Sequence, residues 1–240
     1  LPEAVISANQ LLNSRSATAR QVGEVISHDP ALSAQLLKLV NSAFYGFSSP
    51  IDTISRAVTV IGNRELRSLI LSASVATVFD RITPQLIDMD DFWHRSVYAG
   101  LVAKRLAENR VKGKRETLFI TGLLHDIGKP ATTEQRADGR ITAYGHARLG
   151  AEMAENILDR LGMPAERRDR IVWVIRHHIF HHSWQLQKPE DLSKKQRRYL
   201  ADPKFPLLLE FLRIDSLASR DNPSGMDAYE FYRELWKAGM

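Results

Sequence analysis

The stretch TGLLHDIGKP (121–130) sets a histidine and an aspartate side by side in an apolar segment: Leu123 and Leu124 precede His125 and Asp126, and Ile127 follows. A carboxylate buried without a partner costs several kcal/mol, so a hydrogen bond, an ion pair or a cation must compensate Asp126. Which of the three depends on the surrounding fold, and the flanks of the stretch are dominated by helical spacing.

Upstream, DPALSAQLLKLVNSAFYG (29–46) offers Asp29 as an N-cap and Pro30 as first helical residue, with Leu32, Leu36, Leu37 and Val40 on one stripe. Asn63 can cap a long run carrying Leu66, Leu69 and Ile70, and Asp90 or Asp91 can start a helix with Val97, Leu101 and Val102 as its stripe. Downstream, HARLGAEMAENILDRLGMP (146–164) places Leu149, Met153, Ile157 and Leu161 at helical spacing, then stops at Gly162 before Pro164 opens another helix. The segments RDRIVWVIRHHIFHH (168–182) and PLLLEFLRIDSLASR (206–220) continue the pattern, and only GRITAY (139–144) reads as either a loop or a short strand. The fold class is all-α, a multi-helix bundle with an amino-terminal helical subdomain. Pro84 and the turn formers around it read as the connection, giving an amino-terminal helical subdomain at 1–85 and a second bundle at 86–240.

The chain has 240 residues, 44% hydrophobic and 25% charged, as expected of a globular protein with a sizeable core. It has no cysteine, so disulfides and thiolate metal sites are excluded and a metal must be held by imidazole and carboxylate. No apolar run approaches the roughly 20 residues of a membrane span, and a reducing, cytoplasmic setting is expected. The net charge of +5 gathers in KGKR (112–115) and KKQRR (194–198), which read as solvated loops; without interleaved aromatics they argue against a nucleic-acid partner. The chain opens on Leu1 rather than methionine, and further residues upstream are expected.

Two distant residues belong with the doublet. His94 has Val97, Tyr98 and Leu101 at i+3, i+4 and i+7, which reads as inward-facing, and Asp215 follows Phe211 and Leu212 at i−4 and i−3, which reads the same way. Taken singly, each of these residues is most simply a satisfied core group. Together, two imidazoles and two carboxylates (His94, His125, Asp126 and Asp215) suit one divalent ion, Fe, Mn, Mg, Ni or Zn. Lys129 beside such an ion would hold a phosphate oxygen or steady transition-state charge; alone it is a helix-end lysine. His146 and the run HHIFHH (177–182) add imidazoles, and a helical run would pair His177 with His181 and His178 with His182 at i,i+4. A partly exposed histidine-rich helix end is the simpler reading for His181 and His182.

With His94 ahead of GLLHDIGK (122–129) and Asp215 after it, the chain resembles the HD superfamily of metal-dependent phosphohydrolases, whose pattern is a histidine, a His-Asp doublet and a later aspartate. ISHDPALSAQLLKLVNSAFYG, PIDTISRAVTVIG and FWHRSVYAGLVAKRLA resemble the HDOD branch, HD-related output domains of bacterial signalling, over roughly residues 1–125. From GLLHDIGKP to VIRHH and LLLEFLRIDSLASR the chain is more similar to the HD domain of CCA-adding tRNA nucleotidyltransferases, without their nucleotidyltransferase domain. The resemblance implies a second metal or a phosphate at His146, His177 and His178.

Two functions follow. One is an interaction domain that relays an upstream sensor to a signalling partner, its metal structural; here Asn41, Ser42, Phe44 and Tyr45 either line an interface or, for the two aromatics, sit in the core. The other is an active phosphohydrolase or phosphodiesterase acting on a nucleotide or cyclic phosphodiester. A bound metal would then activate water, Asp126 would orient that water or take its proton, and Lys129 would hold the phosphate.

Overall fold

Asp29 Oδ1 accepts the backbone N–H of Leu32 at 3.0 Å, and Pro30 opens the helix so capped. The computed structural model describes residues 3–14, 16–42, 44–79, 86–107, 114–183, 192–218 and 223–238. Among the described residues helix dominates and strand is confined to one short hairpin; the chain divides into two compact units, Leu1–Thr83 with Arg160–Gly162, and Pro84–Asp159 with Met163–Met240. Residues 80–85, where the sequence sets its subdomain boundary, lie outside the described residues.

The first unit comprises α1 (Glu3–Asn13), α2 (Ala19–Ser27), α3 (Pro30–Val40) and α4 (Ile54–Phe79). Thr18 and Gln21 close a capping box at the start of α2. Val5, Val22, Ile26, Leu36, Val40, Leu66 and Leu69 are fully or almost fully buried, each contributing about 2 kcal/mol of hydrophobic stabilisation. Helical structure begins at Ile54, breaks at Gly62, whose φ of 81° takes it out of helical geometry, and starts afresh at the expected Asn63. Asn41 clamps the following loop, its side chain bonding Ile51 N at 2.7 Å and Ile51 O at 2.8 Å. Phe44 is exposed, not core, while Tyr45 is half-buried and donates to Glu65 Oε1 at 3.1 Å.

The second unit runs α5 (Met89–Leu106), α6 (Arg115–Leu124), α7 (Lys129–Thr132), the hairpin β1 (Glu134–Gln135) and β2 (Ile141–Thr142), then α8 (His146–Arg160), α9 (Ala165–His177), α10 (Lys194–Leu200), α11 (Phe205–Ala218) and α12 (Pro223–Lys237). The hairpin pairs Glu134 with Thr142 and Gln135 with Ile141, which settles GRITAY as partly strand. Asp88, not Asp90 or Asp91, starts α5, accepting Asp91 N–H at 3.1 Å. The KKQRR run is a helix capped by Ser193 and Gln196 rather than a loop; Lys112 and Gly113 of the other basic run lie outside the described residues. Leu118, Phe119, Leu123, Leu124, Phe205 and Phe211 anchor the core.

Two glycine contacts set the helices where the site needs them. A Cβ on Gly122 would lie 2.8 Å from Ala99 O, and one on Gly100 would lie 3.0 Å from Phe119 O, so α5 and α6 meet backbone to backbone. A Cβ on Gly128 would lie 2.8 Å from Gly150 N and would overlap His146 O. Only glycine at 128 lets the first turns of α8 close on the turn that carries His125 and Asp126. Accordingly α8 buries its small residues, Ala147, Gly150, Ala151 and Ala154, together with His146, whereas Leu149 and Met153 of the expected stripe are half-exposed.

Candidate metal centre

His125 ends α6 as its C-cap, and Asp126 occupies the turn before α7. His146 begins α8 after Gly145, whose φ of 81° turns the chain into the helix, and His178 is the C-cap of α9. Asp215 lies on α11. Helix ends and a turn, rather than one helix face, therefore deliver the polar groups.

Each of three imidazoles is fixed by a backbone carbonyl: His125 Nδ1 to Gly122 O at 2.8 Å, His146 Nδ1 to Ala143 O at 2.7 Å, and His178 Nδ1 to Ile175 O at 2.7 Å. A carbonyl only accepts, so each Nδ1 carries a hydrogen and each Nε2 is the nitrogen presented to the interior. All three Nε2 atoms converge on Asp126. His125 Nε2 lies 3.3 Å from Oδ2; His146 and His178 Nε2 lie 3.4 and 3.7 Å from Oδ1.

The two oxygens of Asp126 are served unequally. Lys129 Nζ donates to Oδ2 at 2.6 Å, and His125 joins it there while also standing 3.6 Å from Asp215 Oδ1. Burial alone would lower the His125 pKa, but Asp126 and then Asp215 outweigh it and raise it to about 9. Burial opposes the charge of Asp126, yet His125, His178 and Lys129 hold its carboxyl well below the ordinary range. Among the described residues Oδ1 is met by the Nε2 atoms of His146 and His178, at separations longer than an ordinary hydrogen bond. Burial, reinforced by His178 and Lys129, pushes His146 down, so its Nε2 offers a lone pair at neutral pH.

Those two Nε2 atoms are 3.3 Å apart, and Asp126, His146 and His178 each place one donor atom within 4.8 Å of the others. Donors about 2.1 Å from one ion at tetrahedral angles stand about 3.4 Å from each other. The observed separations of 3.3, 3.4 and 3.7 Å fit that spacing, so the donor chemistry and the geometry both suit a divalent cation. Beside the cluster opens a cavity of about 640 Å³ whose wall includes Arg95, Tyr98, His125, Asp126, Lys129 and Asp215.

The structure thus brings together His125, Asp126, Lys129, His146, His178 and Asp215, and leaves out two expected residues. His94 is exposed on α5, not inward; the buried face runs through Phe92, Ser96, Val97, Gly100 and Leu101, while Tyr98, read as its core neighbour, is 59% exposed. His177 packs on Trp173 and Tyr199, ring centroids 4.5 and 5.3 Å away, with Nδ1 on Trp173 O at 2.7 Å. The expected i,i+4 histidine pairs do not form, because α9 ends at His177 and a 3-10 turn, Phe180–Ser183, follows. His181 there is half-buried; burial, then His182, lower its pKa to about 4 against the pull of Asp215. Sequence reasoning gives Arg95 no role, reads Tyr98 as core rather than cavity wall, and misses the packing role of Gly128.

The family model of the HDOD domain matches residues 1–161, a longer stretch than the sequence motifs alone suggest. An uncharacterized protein of Treponema pallidum is 27% identical over 213 residues, 79% of this chain and 39% of that protein. The A-adding tRNA nucleotidyltransferase of Deinococcus radiodurans is 34% identical over 112 residues, 45% of this chain and 24% of the enzyme, so the chain spans well under half of either relative. Among solved structures, the fold matches a protein from Shewanella amazonensis named as a candidate phosphohydrolase (22% identity, TM-score 0.57, 99% of this chain and 93% of that one). It also matches an HDOD domain protein of unknown function from Geobacter sulfurreducens (18% identity, TM-score 0.56, 98% and 92% covered).

Proposed function

The chain belongs to the HDOD domain family, and on that premise we propose that it is a metal-binding output domain of a bacterial cytoplasmic signalling protein. Its second unit holds a divalent cation on Asp126, His146 and His178, and its helices pass the state of an upstream sensor domain to a protein partner. The observation that carries the metal is Asp126 Oδ1, set among two Nε2 atoms at 3.4 and 3.7 Å whose tautomers are fixed by backbone carbonyls. His125 and Lys129 occupy the other oxygen and keep the carboxylate ionised and oriented. Among the described residues no helix is long and apolar enough to cross a membrane.

A second reading, hydrolysis of a phosphoester, is favoured by the cavity of about 640 Å³ beside the cluster. A bound cation would supply water activation and charge neutralisation there. Lys129, with hydrogens left over from its bond to Asp126, would hold a phosphoryl oxygen, and half-exposed Asp215 would take a proton. Elemental analysis of purified wild type beside Asp126→Ala tests the metal. Near-stoichiometric Fe, Mn, Ni or Zn, lost in the variant, is expected; no metal in either sample after supplementation would sink it. Loaded protein incubated with nucleotides and cyclic phosphodiesters separates the readings: release of phosphate or of a linear product supports the second, and its absence leaves the first.

A further inference from the structure

Helix α10 carries charge in an arrangement that weakens the helix. Four of its seven residues are cationic, Lys194, Lys195, Arg197 and Arg198, and none is acidic. Helical spacing sets Lys194 against Arg197 and Arg198 at i,i+3 and i,i+4, where like charges repel. All three of these side chains are exposed, and among the described residues neither Lys194 nor Arg198 has an ion-pair partner. A surface helix made for stability alone would set acids between its cations.

The other side of α10 is fixed in the core, and through it the charge continues onto α9 and α11. Leu200 is buried, and the Tyr199 ring lies 5.5 Å from Trp173, 5.3 Å from His177 and 5.9 Å from Phe205. On α9, Arg176 shares a face with Trp173 and His177 at i,i+3 and i,i+4 spacing; it is exposed and has no ion-pair partner among the described residues. Lys204, just ahead of α11, sets its Nζ over the Trp173 ring at 5.7 Å. Asp202 answers Lys204 at 3.8 Å, a half-exposed pair that holds little energy.

The rings behind these cations decide between polyanions. A nucleic-acid strand bound by stacking needs a free aromatic face. The Trp173 ring has His177 against it at 4.5 Å, Tyr199 at 5.5 Å and Lys204 over it, so it offers no such platform. What the surface offers is charge and guanidinium forks, each of which takes the two oxygens of a carboxylate at once. We propose that α10, with Arg176 and Lys204, is the docking surface for an acidic segment of a partner protein, whose carboxylates meet Lys194, Arg198 and Arg176. The proposal rests on the reading of the chain as an output domain and names the chemistry of its partner.

Fluorescence anisotropy of a labelled octaglutamate peptide at low salt tests it on the full chain. Three proteins are compared: wild type, the double variant Lys194→Gln with Arg198→Gln, and Lys38→Gln with Arg64→Gln, which removes the same charge from exposed positions of the first unit. Metal content and helical circular dichroism are read on each. The wild type is expected to bind the peptide and to release it as salt rises. The α10 variant should bind about tenfold more weakly or worse, and the first-unit variant as wild type does. A wild type that does not bind, or an α10 variant that binds as tightly as wild type, would overturn the surface. So would an oligouridylate, or vesicles containing phosphatidylglycerol, that binds through Lys194 and Arg198 more tightly than the peptide; the face would then belong to a nucleic acid or a membrane. Metal retained in an α10 variant that loses the peptide supports the surface as a separate site. A wild type that takes up no metal yet binds the peptide through α10 upholds the surface and overturns the metal reading instead.

Discussion

The two units solve the problem of the interior in opposite ways. In the first, the buried polar residues among those described are Ser68 and Ser72, which helical backbone can satisfy; Ser72 Oγ donates to Ser68 O at 3.0 Å. Its charged and capping groups, Thr18, Gln21 and Asp29, stay on or near the surface. The second unit buries Lys104, His125, His146, His178 and Arg213. Arg213 is answered by Glu210 at 2.5 Å, and the imidazoles by one another and by Asp126. A fold gains little stability from such charges, and breaking one partnership strands the rest. The contrast teaches where selection for something beyond folding acts: in the unit whose interior is expensive to maintain.

The largest effect should come from the contact that assembles the costly interior. Gly128→Val drives side-chain atoms into His146 O and Gly150 N, and urea unfolding should show a loss of about 3 kcal/mol together with loss of the metal. A variant as stable as wild type would break the claim that α8 is held by that close approach. Next, neighbouring histidines should behave oppositely. His178→Gln should weaken metal binding about a hundredfold or more, while His177→Gln, whose ring lies on Trp173 and Tyr199, should leave it unchanged in a competition titration with a chelator.

Titration sharpens the contrast further, and it concerns the metal-free protein. The folded pKa of His125 is raised to about 9, so its stabilisation is complete below the ordinary 6.5 and is lost as pH rises through 9. That of His181 is lowered to about 4, so its contribution is present above 6.5 and is lost as pH falls toward 4. Thermal unfolding in a chelator should therefore peak near pH 6.5 and drop by a few degrees on either side. His125→Gln should flatten the alkaline limb and His181→Gln the acidic one; limbs that survive both substitutions would assign the effect elsewhere. The smallest change belongs to the first unit. Asp29→Ala removes the cap of α3 and should cost about 1 kcal/mol, with metal content untouched.

What was legible in the sequence followed its periodicity. Leu32, Leu36, Val40, Leu66, Leu69 and Ile70 are where helical spacing puts them, because large aliphatic side chains dominate that core. Helix α5 was read on the wrong face for the opposite reason. Its contact with α6 is made by Gly100 against Gly122, residues too small to count in an apolar pattern, so the pattern puts Tyr98 in the core in their place. His94 was carried inward with it. The doublet and Asp215 were legible as polar groups in apolar surroundings. The grouping of His146 with His178 follows from the family resemblance alone and not from periodicity, since it joins two helix ends 32 residues apart.

X-ray absorption at the metal edge tests the centre most directly, because it counts ligands without asking for activity. Protein loaded with one equivalent of metal should show an imidazole shell that loses one ring in His178→Gln and one in His146→Gln, and that is unchanged in His94→Gln. A shell without imidazole, or one that diminishes in His94→Gln and not in His178→Gln, would contradict a cation held on Asp126 by the ends of α8 and α9.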